Sequence, residues 1–339
     1  MKKIVLIFVL GFLIFGIVSF SKSHFAPIYI EIPTNWPKPV YDFKKNPLTE
    51  EGFQLGRHLF YDPILSKDNT ISCSSCHLQA TGFTHVDHEL SHGIEGKIGT
   101  RNSLTLQNLA WSKNFMWDGG VNHLDVQAIT PITSEVEMNE TLENVVNKLQ
   151  KSEKYVDLFE KAFRTKKITG QLTLKAISQF LVSLTTTNSK YDKFIRNEEE
   201  FTEMEQKGYA LFQNHCTSCH KEPLLTNNEF RNNGLPMVAD LKDLGRMKIT
   251  QNSKDSLLFK VPTLRNIEFT FPYMHDGRFK TLTEVIKHYN SGVQKSRTLS
   301  KELHQPMNLN DNERTELVAF LKTLTDKTFL FNKKYAYPK

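Results

Sequence analysis

The sequence predicts a mainly α-helical chain of two tandem domains, each built round one copy of the same cysteine motif. Three observations predict it. All four cysteines fall in two identical frames, "CSSCH" at 73 to 77 and "CTSCH" at 216 to 220. Each frame follows a helix-like segment sharing Gly-x-x-Leu-Phe, "GRHLF" at 56 to 60 and "GYALF" at 208 to 212. Each is followed, far downstream, by a matching apolar stripe, "AISQFLVSLTT" in the first copy and "ELVAFLKTLTD" in the second.

The stripes set the helical reading. Ile177, Phe180, Leu181 and Leu184, and then Leu317, Phe320, Leu321 and Leu324, recur at i, i+3, i+4 and i+7, one apolar face each. The interval from motif histidine to stripe phenylalanine is 103 residues in one copy and 100 in the other, which marks a duplication. Thr141 to Phe163 reads as a further helix with an acidic first turn, and few segments alternate as strands do. The two domains are expected at 45–198 and 199–330, meeting near 196 to 202, after an extension over 22–44.

Length and composition agree with two soluble domains. The chain has 339 residues, 39% of them hydrophobic and 24% charged, enough for two cores and too polar for a membrane-embedded body. Residues 1–21 are the exception: Met1-Lys2-Lys3 precedes an uncharged apolar run from Ile4 to Phe20, the pattern of an export signal. Cleaved signal and retained inner-membrane anchor through residues 4–20 are both compatible with it, because the run is short for a span and no small-x-small cleavage site is evident. A periplasmic location follows. The net charge of +6 falls to about +4 once Lys2 and Lys3 are removed. Such a balance is a solvated surface, and no nucleic-acid partner is expected from it.

In an exported chain, disulfides are the plain reading of four cysteines. The spacing argues against them. The two pairs lie 143 residues apart, too far for a zinc ribbon, and neither zinc nor a redox disulfide needs a histidine directly after the second cysteine. Covalent haem attachment does, because two thioethers fix the porphyrin edge while the adjacent imidazole reaches the iron. Cys73, Cys76 and His77 are therefore expected to hold one c-type haem, and Cys216, Cys219 and His220 the other. Two tandem cytochrome-c-like domains, each with one covalent haem, follow.

Further ordered motifs lie between and beyond the haem frames: "GTRNSLTLQNLAW", "FMWDGG", "EVEMN", "FKVPTLRNIEFTFPYMHDGRFKTLTEVIKHYNSG" and "LVAFLKTL". Over roughly residues 45 to 327 the chain resembles the bacterial dihaem cytochrome c peroxidases, including their MauG-type relatives. The resemblance implies that the amino-terminal haem reacts with hydrogen peroxide and the carboxy-terminal haem takes in or shares electrons. It implies as partner a small periplasmic electron donor, a cytochrome c or a copper protein, with a homodimer as the candidate assembly. In the MauG-type variant the peroxide oxidises another protein's side chain. A dihaem electron carrier without catalysis is the other class of function.

Site residues come from the same resemblance. Peroxide cleavage needs a carboxylate close to the iron to move a proton between the two oxygens, and Glu137, twenty positions after Trp117, matches that residue. Glu135 is its neighbour and competitor. Gln127 and Pro131, ten and fourteen after Trp117, match the pocket neighbours. Trp117 matches the tryptophan between the haems, with an ordinary core aromatic as the plain alternative. Asn102, Thr270 and Pro272 match ligands of a calcium ion at the domain junction, a hard cation suited to oxygen donors. The register that carries a distal histidine in peroxidases needing reductive activation falls near Gly93 and Ile94. Each of His85, His88 and His92 is a candidate to close the site in one redox state, and the expected reading is that all three face solvent. At the second haem, the position fourteen after His275, a methionine in conventional members, is Tyr289. The nineteen-residue interval from Thr270 agrees with the MauG type, in which tyrosine ligates this iron, and Met274 is the competing ligand.

Overall fold

The computed structural model describes residues 27–339. The expected signal or anchor over 1–21 lies outside them. Among the described residues, no helix is long and apolar enough to cross a membrane.

Each half is organised by one helix pair. Thr49 caps the helix Glu50–Tyr61 through the Gly52 amide, and Thr202 with Glu205 forms a reciprocal capping box on the helix Glu203–His215. The first packs on the helix Gly170–Ser183 and the second on the helix Asp311–Lys322. Both pairs cross at the glycine of Gly-x-x-Leu-Phe. A methyl group on Gly56 would stand 2.0 Å from the Ala176 carbonyl oxygen, and one on Gly208 would stand 1.9 Å from that of Glu316. Ala176 and Glu316 each lie four residues before the stripe phenylalanine. The repeat seen in the sequence is thus one helix crossing built twice.

The two cores are apolar and separate. Phe53, Phe60, Phe180 and Leu181 lie in the first, with Phe212, Leu317, Phe320 and Leu321 in the second. Two segments exchange sides. Tyr191, Phe194 and Ile195, from the helix Lys190–Ile195, pack in the second core, while Phe329, Leu330 and Tyr335 pack back in the first. Tyr335 Oη donates to the Ser183 carbonyl at 2.9 Å, and Arg57 Nε to that of Ala336 at 2.6 Å. The chain's end is therefore a strap on the amino-terminal half.

Thr141 to Phe163 is not one helix. It forms two, Leu142–Gln150 and Glu153–Phe163, because Ser152 leaves helical geometry to start the second. The described residues contain a single small antiparallel sheet, Phe230–Arg231 with Phe259–Lys260.

Candidate active site and haem pockets

Cys73–Cys76 form one helical turn, and the His77 amide donates to the Cys73 carbonyl at 3.0 Å. The second frame repeats the turn, with the His220 amide on the Cys216 carbonyl at 2.8 Å. A single turn brings both thiols to one side with the imidazole next to them. His77 Nδ1 lies 2.7 Å from the Phe83 carbonyl oxygen, and His220 Nδ1 lies 3.2 Å from that of Leu225. A carbonyl only accepts, so Nδ1 carries the hydrogen in both rings and Nε2 keeps its lone pair. Burial pushes both imidazoles down to about 4 despite those carbonyls, so both are neutral donors at pH 7. No disulfide joins any of the four cysteines.

A cavity of about 600 Å³ opens beside the first frame, lined by Cys73, Cys76, His77, Trp117, Gln127 and Glu137 among others. Its size suits a cofactor, and its thiol pair with a preset imidazole suits a covalently held haem. Glu137 stands on this lining, half-buried, whereas Glu135 is exposed and absent from it. Burial raises the Glu137 carboxyl above its ordinary range, and the Cys73 and Cys76 thiols feel its charge. Pro131 lines the same cavity, and Gln127 Nε2 points at Met116 Sδ, 3.6 Å away.

The loop after the first frame folds over this site. Ile94 donates its amide to the Glu137 carbonyl at 2.8 Å, and Gly93 lies flush against the Val136–Glu137 backbone. The three loop histidines do not all face solvent as expected. His85 is 5% exposed with both ring nitrogens unpartnered, His88 is exposed, and His92 is half-buried. The rings form a file, 5.9 Å from His85 to His88 and 4.0 Å from His88 to His92. Long-range folding of the loop buries His85, and no local pattern announces it.

Trp117 sits at the junction of the halves. Its Nε1 donates to the Asn102 carbonyl at 2.8 Å, its own carbonyl accepts from the Lys260 amide at 2.7 Å, and its ring meets His275 edge-on at 6.4 Å. Arg101 bolts the same corner, bonding Asp243 through two nitrogens and Asp118 through a third. Asn102 reaches across it too. Its amide donates to the His275 carbonyl at 2.8 Å and its Nδ2 to the Pro272 carbonyl at 2.6 Å, while its buried Oδ1 has no partner. An orphaned buried oxygen beside a backbone carbonyl is a donor set that suits a hard cation. Thr270 packs against Gly82, its Cγ2 2.9 Å from where a methyl group on that glycine would stand.

Tyr289 lies in a π-turn, His288–Gly292, that continues the helix Leu282–Lys287; such turns often re-aim a functional side chain. Burial pushes its phenol up to about 12, with Asn233 opposing and the Cys219 and Cys216 thiols adding to the shift. Tyr289 therefore lies within electrostatic reach of the second thiol pair. Met274 reaches the same place, its sulfur accepting from Asn233 Nδ2 at 3.4 Å, and the Asn233 carbonyl lies 2.9 Å from His288 Nε2. Sequence reasoning missed Asn233, since no motif singles out "RNNG". It also missed Lys260, hidden in "FKVP".

The comparisons agree with this architecture. Residues 50–200 match the di-haem cytochrome c peroxidase family, and residues 205–325 match cytochrome c. The methylamine utilization protein MauG of Methylophilus methylotrophus is 34% identical over 86% of each chain. The cytochrome c551 peroxidase of Nitrosomonas europaea is 34% identical over 85% of this chain and 84% of its own. Among solved structures, a MauG-like protein associated with microbial copper homeostasis superposes with a TM-score of 0.86 at 31% identity, over 92% of this chain and 99% of that one. With two cytochrome-c-like units, two c-type haem frames and relatives of both kinds across most of its length, the chain belongs to the bacterial dihaem cytochrome c peroxidase and MauG family.

Proposed function

We propose that the chain is a peroxidase that reduces hydrogen peroxide to water at the first haem, in the unit over 45–198, with the unit over 199–330 passing electrons from a small periplasmic donor. The observation that carries this is Glu137. It is a half-buried carboxyl without a cationic partner among the described residues, on the wall of the His77 cavity, and desolvation raises it above its ordinary range, which makes it a stronger proton acceptor. The bound haem supplies a redox-active iron at which peroxide is activated. Glu137 takes the proton from the inner peroxide oxygen and returns it to the outer one, which leaves as water. Gln127 and Pro131 shape the space beside it. Trp117, fixed at both its indole nitrogen and its carbonyl, bridges the halves as an oxidisable ring. Asn102, with Thr270 and Pro272, holds calcium at that junction.

The test is Glu137→Gln. The haem spectrum should be kept, while peroxide-dependent oxidation of a reduced small cytochrome c should fall by a factor on the order of a hundred or more. An unimpaired variant would reject Glu137 as the proton carrier.

A second reading, peroxide-driven oxidation of a protein side chain, is favoured by Tyr289. A phenol within electrostatic reach of Cys216 and Cys219 fits an anionic ligand that would stabilise the oxidised second haem, making it a store of oxidising equivalents rather than an inlet. Tyr289→Phe should change the low-spin ferric resonance of that haem. An unchanged resonance would transfer the ligand role to Met274 or a histidine and return the chain to the conventional peroxidases.

A further inference from the structure

Three cationic side chains line the first cavity: Arg101, Lys248 and Lys260. Arg101 is held by Asp118 and Asp243, and Lys248 stands 3.2 Å from Asp243. Lys260 differs. It is 9% exposed, and its Nζ donates to the Asn114 carbonyl at 2.8 Å and to Ser112 Oγ at 3.3 Å. Among the described residues it forms no ion pair, and only the Phe115 ring, 5.8 Å away, offers it a negative face. Burial draws its pKa down to about 8 with no opposing charge. A buried ammonium served by neutral acceptors alone is an unfavourable arrangement, and proteins complete it with an anion.

Its place in the fold is equally specific. Lys260 ends a strand of the carboxy-terminal half, and its amide is tied to the Trp117 carbonyl. The cavity's cysteines belong to the other half. Its ammonium is held against Ser112, Asn114 and Phe115, whereas the thiols stand on the turn Cys73–Cys76. The cation and the thiols thus reach the same cavity from different segments of its wall. A c-type haem bound through its vinyl-derived carbons carries its two carboxylates on the side of the macrocycle away from those bonds.

We propose that Lys260 is the counter-charge for a haem carboxylate in the first cavity, so that a residue of the carboxy-terminal half completes the electrostatics of the amino-terminal haem. This rests on haem attachment at Cys73 and Cys76 and not on the peroxide chemistry. A cation beside the macrocycle favours the iron state of lower positive charge. Removing it lowers the midpoint potential and lets the carboxylate protonate more readily.

The experiment uses the full chain with its haems counted by pyridine haemochrome, so that loss of cofactor is seen separately. In a two-haem Lys260→Gln protein, the first haem's midpoint potential should fall and its propionate-bending resonance Raman band should shift. Lys260→Arg should keep both near the parent values. Unchanged potential and band in Lys260→Gln would overturn the proposal. If Lys260→Gln does not retain two haems, Lys260→Arg decides. Parental loading, potential and band support a requirement for positive charge, and failure of the arginine variant to load, or a shifted potential, overturns it.

Discussion

Gly93 lies so close to Glu137 that a methyl group on it would stand 2.5 Å from the Glu137 Cα and carbonyl oxygen and 2.2 Å from the Val136 carbonyl. Its backbone is extended, with φ of −119°, so conformation does not demand glycine there. Contact does. Any side chain here must push the loop off the Glu137 segment.

Gly93→Ala should therefore displace Glu137 while leaving both haems attached. Misplacing a catalytic group by about 1 Å costs on the order of a hundredfold in rate. The second-order rate constant for peroxide, from stopped-flow mixing, should fall by that order, and a parental rate would show that Glu137 tolerates the shift.

The raised Glu137 carboxyl fixes the sign of a pH dependence. A proton acceptor must be ionised, so the peroxide rate constant should be low at acid pH, rise through a midpoint above the ordinary 4.5, and then level. Glu137→Gln should abolish that step. The same shift means that the folded protein holds this proton more tightly than the unfolded chain. Its contribution to stability is present at low pH and is lost as pH rises through the folded value. A rate profile unaffected by Glu137→Gln would assign the step to another group.

Gly208→Ala tests the duplicated crossing. Glycine to alanine in an ordinary helix interior stabilises by about 1 kcal/mol. Here the new methyl would overlap the Glu316 carbonyl oxygen at 1.9 Å, so the helices must part, and a loss of about 1–3 kcal/mol is expected. Thermal unfolding reads the sign directly. A raised midpoint would mean that the helices are not in contact there.

The junction gives a fourth prediction. If Asn102 Oδ1 with Thr270 and Pro272 holds calcium, exhaustive chelation should slow turnover and alter the electron paramagnetic signals of both haems, and added calcium should restore them. Asn102→Ala should mimic chelation and no longer respond to calcium. Full activity in calcium-free protein would remove the ion from the mechanism.

What the sequence disclosed follows the range of the interactions involved. The haem frames were legible because covalent attachment needs cysteines and histidine within five residues. Gly56 and Gly208 were visible as repeat markers, but their purpose, a helix crossing, appears only when Ala176 and Glu316 are brought beside them. The break at Ser152 was written locally, as serine before glutamate, and was masked by the continuous helical character on either side. The burial of His85, the grouping of Asn233 with Met274 and Tyr289, and the return of Tyr335 to the first core depend on contacts between distant segments. Periodicity and spacing do not encode these. Lys260 had the same difficulty, since its isolation from carboxylates exists only once the cavity is formed.

The central claim is that peroxide reacts at the His77 haem of the resting ferric protein, with Glu137 beside it and no loop histidine on the iron. The most direct measurement mixes the as-isolated ferric protein with one equivalent of hydrogen peroxide in a stopped-flow spectrometer. The expected result is an immediate change in the haem absorption, without added reductant, that slows on the order of a hundredfold in Glu137→Gln. A spectrum that stays unchanged until the second haem has first been reduced would contradict the claim.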